Sequence, residues 1–319
     1  MGFSLLGTGR ALPGQVIGND DLSRVMDTSD EWISSRTGIR RRHIMDGETL
    51  TELAAAAAKD ALENAGVDAG ELDYIICTTI RGDYITPSEA CMIQKEIGAS
   101  CPAFDLNGAC SGFIYGLDVA GALFDSSRAK KVLLVSAEAM TKTVNWQDRA
   151  TCVLFGDGAG AVVLGEGDDL LALRLTAKGD DTALRMPNIS GNCPYCKKEP
   201  EEPYLHMNGQ EVYKFAVSSS CRDIKDLMKQ AGITAEEVDH MVFHQANYRI
   251  IETAQKKLKI PKEKFALNIS ENGNVSSASI PILLDEMNRD GRLKKGQKLI
   301  LSAFGAGFTT GAALLRWSR

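Results

Sequence analysis

Apolar positions along the 319-residue chain fall into two patterns, short unbroken runs and repeats at helical spacing. Thr51–Ala65 carries Leu and Ala on a helical period and is followed by Gly66, which predicts a helix closed by a glycine C-cap. Asp73–Thr79 (DYIICTT) and Lys131–Ala137 (KVLLVSA) are continuous apolar runs, the pattern of strands covered on both faces. Ser4–Leu12 predicts a short strand and Asp20–Met26 a polar helix, while Pro87-Ser88-Glu89 opens a further helix with Pro in an early position. In FDLNGACSGFIYGLDVA a polar, glycine-broken stretch ends at Cys110, and Phe113, Ile114, Leu117 and Ala120 then recur at helical spacing. FGDGAGAVVLG, from Phe155, reads as a turn into a strand over Ala161–Leu164, because no Gly-Lys-Ser/Thr of a phosphate loop follows. Charge and glycine rise over Gly165–Asp169 and mark a joint between two halves, 1–166 and 167–319.

The second half repeats the first. AGVDAGELDYIICTT at Ala65 and AGITAEEVDHMVFHQ at Ala231 align 166 positions apart, and the same register aligns VLLVSA at Val132 with KLILSA at Lys298. Two segments in one register point to internal duplication. Each half alternates helix and apolar strand, which predicts an α/β fold with parallel sheets covered on both faces. The register equates Cys110 with Ser276 and Thr78 with His244, so the two helix starts should face each other across a pseudo-twofold axis.

Chemistry is expected where those elements end, since open α/β sheets place ligands beyond the C-terminal ends of strands. Three such ends carry polar residues: Cys110, His244 in VFHQAN and Asn274 in ENGNVSSAS. At a helix start, unpaired N–H groups and the helix dipole favour an anion, so the Cys110 thiol is expected to ionise below its ordinary value of about 8.5 and to act as a nucleophile. The alternative is a small buried apolar cysteine. Taken singly, His244 also reads as a satisfied core histidine and Asn274 as a left-handed turn residue. In DEWISSRTGIRRRHI, Trp32 beside Arg36 offers an aromatic plane among cations, which suits a nucleotide; a surface helix with a half-buried Trp is the alternative.

A formal charge of -6 and a pI near 5.4 count against nucleic acid as a partner, although Arg36, Arg40, Arg41 and Arg42 make a local basic patch. Eight cysteines without disulfide-framework spacing point to a reducing compartment. With neither a signal-like opening nor an apolar run of about 18 residues, a soluble cytoplasmic protein is expected, with no membrane contact. Cys193 and Cys196 in SGNCPYCKKEPEEP form a lone CxxC; even with His206 nearby it lacks a second ligand pair, so no metal is expected. A redox pair or two incidental thiols fits better.

Together these segments resemble β-ketoacyl-acyl carrier protein synthase III. The matching stretches are DEWISSRTGIRRRHI, NGACSGF, DRATCVLFGDGAGAVVL, MNGQEVYKFAV, HQANYRI, NGNVSSASIP and FGAGFTTGAALLRW, running from near the N-terminus to the last strand. The resemblance implies a thiolase-like α/β fold, two duplicated βαβ halves in five α-β-α-β-α layers, with the nucleophile in residues 1–166 and His and Asn in 167–319. It implies a homodimer that needs no cofactor, its substrates being an acyl-CoA primer and malonyl-acyl carrier protein. Cys110 would become the acyl thioester, and His244 with Asn274 would hold the enolate oxygen formed on decarboxylation. Backbone N–H groups of Cys110 and Ala306 would hold the thioester oxyanion. Ala306 stands where Gly is expected, which matters only if the turn needs positive φ there.

By the same resemblance Trp32, Arg36, Arg149 and Asn247 would meet coenzyme A, with Asn247 also locking its loop. Lys214 and the segment Gln245, Ala246, Asn247, Tyr248 and Arg249 would meet the acidic carrier. Thr86 and Phe304 would line the acyl pocket, and Thr86, in place of a bulky aromatic, leaves room for a primer longer or more branched than acetyl. Rival readings are a thiolase-fold condensing enzyme of secondary metabolism and a non-catalytic module that binds coenzyme A or carrier. A degradative thiolase is disfavoured, because Ser276 sits where the repeat would offer its second Cys.

Overall fold

The computed structural model describes residues 2–188, 191, 194–195 and 201–319. Two five-stranded sheets carry the fold. The first holds β1 (Gly2–Ala11), β2 (Tyr74–Thr78), β3 (Ala103–Leu106), β4 (Lys131–Ala139) and β5 (Asp157–Gly167), in spatial order β1-β5-β4-β2-β3. The second holds β6 (Leu170–Asp180), β7 (His240–Phe243), β8 (Phe265–Ala266), β9 (Lys298–Gly305) and β10 (Gly307–Arg316), in order β6-β10-β9-β7-β8. Each sheet is antiparallel over its first two pairings and parallel over its last two, so one sheet repeats the topology of the other.

The longer helices are α1 (Asp30–Thr37), α2 (Leu50–Ala65), α3 (Glu89–Ile97), α4 (Gly112–Asp125), α5 (Gly209–Ala231), α6 (Tyr248–Leu258) and α7 (Ser279–Arg289). Alternation along the strands sorts their side chains between layers. Ile75 and Cys77 of β2 face outward to the small alanines of α2, Ala54, Ala57 and Ala58, whereas Ile76 faces inward. There it joins Phe113 and Leu117 of α4, Ile280 and Leu283 of α7, and Val242 and Leu299 of the second sheet in one central core. On the far side, Ile224 of α5 and Ile250 of α6 cover Met241 and Phe243 of β7. The order is therefore α-β-α-β-α, with α4 and α7 as the buried middle layer.

Local signals account for most boundaries. α2 opens on Thr49 and Glu52 in a reciprocal capping box and closes on Gly66 at φ 65°. At α3 the N-cap is Ser88, so Pro87 precedes the helix rather than sitting inside it, and the polar helix expected over Asp20–Met26 is a single turn, Asn19–Leu22. The glycine-rich segment read as a turn is itself strand from Asp157 onward. Its glycines answer to packing: a Cβ on Gly160 would lie 2.7 Å from the backbone N of Ile282 in α7.

Candidate active site

The ends of β2 and β7 open, beside the starts of α4 and α7, onto a cavity of about 740 Å³ whose lining includes Cys110, His244, Asn274, Phe304 and Ala306. That volume is ample for a small-molecule substrate. Three loops distant in sequence thus deliver a thiol, an imidazole and a carboxamide to one space.

Cys110 lies in a one-turn 3-10 segment, Ala109–Ser111, leading into α4, and Ala109 takes a left-handed φ of 48°. The repeat copies this device: Ser276–Ala278 precedes α7, with Ser276 at φ 45°. The equated residues touch, Ser276 Oγ lying 3.4 Å from Cys110 Sγ. The expectation of an acidified thiol is corrected here. Burial pushes Cys110 up to about 12, with a smaller lowering from the Ser276 hydrogen bond and a raising contribution from nearby Glu138. Removing the sulfur from water outweighs the helix start, because desolvation penalises the thiolate directly.

His244, 1% exposed, donates its backbone N–H to Ser302 O at 2.7 Å, keeps Nδ1 2.8 Å from Ser279 Oγ, and meets the Phe304 ring edge-on at 5.3 Å. Burial lowers its imidazole to about 3, so the ring is neutral at neutral pH with Nε2 left for the cavity. Asn274 Oδ1 accepts from the Ser276 N–H at 2.9 Å, which leaves its Nδ2 end for a ligand. The left-handed residues around it are Gly273 and Ser276, so Asn274 is not the turn residue of the alternative reading.

Ala306 is absent from the positive-φ positions and Gly307 takes that role at 132°, so the alanine costs the turn nothing. A Cβ on Gly305 would sit 2.7 Å from the Cys110 backbone N, which shows how closely this turn approaches the thiol's backbone. Phe304 lines the cavity, against His244. Thr86 is exposed in the single chain; its neighbours Tyr84 and Ile85 reach the cavity.

Trp32 carries two guanidinium groups, Arg36 at 4.7 Å and Arg149 at 5.2 Å from its ring centroid, and Arg149 also donates to the Asp27 carboxylate at 3.1 Å. None of the three lines the cavity. Ala246 and Asn247 do, and Asn247 also caps α6 by accepting the Arg249 N–H at 2.8 Å. Arg249 and Tyr248 are exposed, with the Arg249 guanidinium donating to Ser35 O of α1 at 2.9 Å. Lys214 is exposed and paired with Glu211 at 2.9 Å. Gln245 needs correction as a carrier contact. It is fully buried, donates to Phe243 O at 2.8 Å and accepts from Asn268 N at 3.3 Å, so its side chain staples the loop from inside.

One residue escaped the sequence reading. Glu138 near the end of β4 is 1% exposed, and its carboxylate accepts from Ser277 Oγ at 2.6 Å and from Ile80 N at 3.1 Å. Burial raises it to about 7, against smaller lowering from the Ser277, Ile80 and Ser276 hydrogen bonds. An acid directly following the apolar run VLLVSA was the available signal. Cys193 and Cys196 lie outside the described residues, among which no His, Cys, Asp and Glu group could hold a metal and no helix is long and apolar enough to cross a membrane.

Two family models match this chain: 3-oxoacyl-[acyl-carrier-protein] synthase III over residues 104–179, and its C-terminal counterpart over 228–317. A beta-ketoacyl-[acyl-carrier-protein] synthase III of Xanthomonas campestris pv. campestris is 46% identical over 317 residues, 98% of each chain. The crystal structure of the 3-oxoacyl-[acyl-carrier-protein] synthase III of Aquifex aeolicus VF5 superposes with a TM-score of 0.92 at 44% identity, covering 99% of this chain and 100% of that one. A priming β-ketosynthase from the R1128 polyketide biosynthetic pathway superposes with a TM-score of 0.92 at 33% identity, covering 99% and 96%. Identity of this extent, over the full length and on the same five-layered fold, makes the chain a member of the 3-oxoacyl-[acyl-carrier-protein] synthase III family of thiolase-fold condensing enzymes.

Proposed function

We propose that the protein joins an acyl-CoA primer to malonyl-acyl carrier protein with loss of carbon dioxide, the step that opens fatty acid synthesis. The observation that carries this reading is the convergence of Cys110, His244 and Asn274 on one cavity in a chain of this family. Cys110 Sγ attacks the thioester carbonyl of the primer, coenzyme A departs, and the acyl group stays on sulfur. The malonyl group then loses its carboxylate, and the resulting carbanion attacks the Cys110 thioester. His244 and Asn274 stabilise the enolate oxygen through Nε2 and Nδ2, and a neutral imidazole suits a donor that must not hand over its proton. The Cys110 and Ala306 N–H groups receive the thioester oxyanion.

Trp32, Arg36 and Arg149 take the nucleotide end of coenzyme A, Asn247 meets the same substrate from the cavity, and Lys214, Ala246, Asn247, Tyr248 and Arg249 take the acidic carrier. The half 1–166 supplies the nucleophile, and 167–319 supplies His244 and Asn274. The protein works as a cytoplasmic homodimer, with Tyr84 and Ile85, 56% and 74% exposed, as apolar surface for the second copy to cover beside Thr86. The reaction as written draws on no cofactor. Exposure to acetyl-, isobutyryl- and hexanoyl-CoA followed by mass spectrometry should add one acyl mass at Cys110 and none in Cys110→Ala, with ketoacyl product once malonyl-acyl carrier protein is supplied. No adduct with any primer would leave only a binding module, and condensation only with other malonyl donors would favour secondary metabolism.

A further inference from the structure

We propose that Arg42, which lies outside the cavity lining, is a positioning residue that sets the aim of the Asn274 carboxamide and so serves decarboxylation rather than acylation. This rests on Asn274 being a donor to the enolate oxygen. The arginine run placed Arg42 in a basic surface patch, but its side chain is fully buried. It stands on the short strand Arg41–Ile44, paired with Gln15–Gly18. One end of its guanidinium, Nη1, donates to Ile17 O at 3.2 Å and to Asn19 Oδ1 at 2.9 Å, and the other, Nη2, donates to Val153 O at 2.8 Å.

Val153 opens the strip that clamps Asn274. The Asn274 N–H donates to Leu154 O at 2.9 Å, and Asn274 O accepts from Gly156 N at 3.1 Å, so Phe155 and Asn274 form a parallel bridge outside either sheet. The Arg42 stem lies against both sides of this clamp. A Cβ on Gly156 would sit 3.2 Å from Arg42 Cβ, and one on Gly273, the residue before Asn274, 3.4 Å from it. With its backbone held from both sides and its Oδ1 taken by the Ser276 N–H, Asn274 keeps one direction for Nδ2. The three acceptors of the guanidinium are all neutral, and Asp30 enters at one remove, accepting from Asn19 Nδ2 at 2.8 Å. A buried charge held by neutral dipoles is costly where an apolar side chain could fill the space. What only arginine offers there is a rigid planar fork that fixes separate segments at once. Acylation draws on Cys110 and the backbone N–H groups of Cys110 and Ala306, none of which this clamp holds. Decarboxylation needs the carboxamide, and misplacing a reacting group by about 1 Å can cost about 100-fold in rate.

The test separates the two half-reactions and asks whether Arg42 acts through Asn274. Wild type, Arg42→Met, Arg42→Lys, Asn274→Ala and the double variant Arg42→Lys/Asn274→Ala are mixed with acetyl-CoA and isobutyryl-CoA, and the Cys110 adduct is followed by rapid-quench mass spectrometry. Each protein is then acylated to completion, and carbon dioxide release from malonyl-acyl carrier protein is measured. The expected result is decarboxylation slower by about tenfold or more in both Arg42 variants, with acylation within about threefold of wild type. In the Asn274→Ala background, Arg42→Lys should slow decarboxylation by no more than about twofold further, a non-additivity that general loosening of the fold would not produce. Decarboxylation within about threefold of wild type in an Arg42 variant, equal losses in both half-reactions, or additive losses in the double variant would overturn the proposal. Should Arg42→Met not fold, Arg42→Lys decides alone, since it keeps the stem and the charge and loses only the fork. Full decarboxylation by Asn274→Ala would instead overturn the reading of Asn274, and a wild-type protein that takes up no acyl group the reading of Cys110; each is told apart by that result.

Discussion

Two buried titratable groups pull the acid stability of this protein in opposite directions. His244 folds neutral and ionises only near 3, while the unfolded residue binds a proton below about 6.5, so its contribution is present above 6.5 and is lost as pH falls toward 3. Glu138 keeps its proton up to about 7 when folded and loses it near 4.5 when unfolded, so its contribution is present below 4.5 and is lost as pH rises to 7. The two nearly cancel across the mildly acidic range. His244→Asn removes one side, and its stability at pH 4 relative to pH 7 should rise against the parent's by about 3 kcal/mol, read from urea unfolding at both pH values. Parallel curves for parent and variant would refute the assignment. At this scale Cys110, His244 and Asn274 were legible from their places at element ends. The basicity of Glu138, the protonated state of Cys110 and the burial of Gln245 were not, because burial is summed over segments far apart in the chain.

Between elements, β5 packs closely against α7. The Gly160 Cβ position meets backbone of Pro281 and Ile282, which cannot rotate aside, whereas the Gly165 Cβ position meets the end of the Leu6 side chain, which can. Gly160→Ala should therefore cost about 2 kcal/mol and Gly165→Ala distinctly less, measured by chemical unfolding. Because α7 begins just after Ser276 and Asn274, Gly160→Ala should also slow turnover; equal stability losses at the two sites would contradict this account. The same pair explains a misreading. Glycines in FGDGAGAVVLG carry the local signal of a turn, and what makes them strand is a helix more than 100 residues further on. Helix α2 and strands β2 and β4, whose signals are local, were readable nearly to their boundaries.

Over the whole molecule the charge is -6, so an acidic carrier must be met by local cations. Arg249, exposed and tied to α1 through Ser35 O, is one cation proposed for that contact. Arg249→Glu should raise KM for malonyl-acyl carrier protein by about tenfold or more with little change in KM for the acyl-CoA, and added salt should weaken carrier use by wild type in the same sense. An unchanged carrier KM would remove Arg249 from the docking surface. The duplication was legible in full, since its register survives in AGVDAGELDYIICTT and AGITAEEVDHMVFHQ.

The contact between Cys110 and Ser276 joins the two residues that the repeat equates. Matched twins on a symmetry axis can only do the same thing; with sulfur on one side and a hydroxyl on the other, the centre has a direction. Neither half alone holds a working copy of that centre, so a chain cut at the joint should stay silent until its two pieces are brought back together.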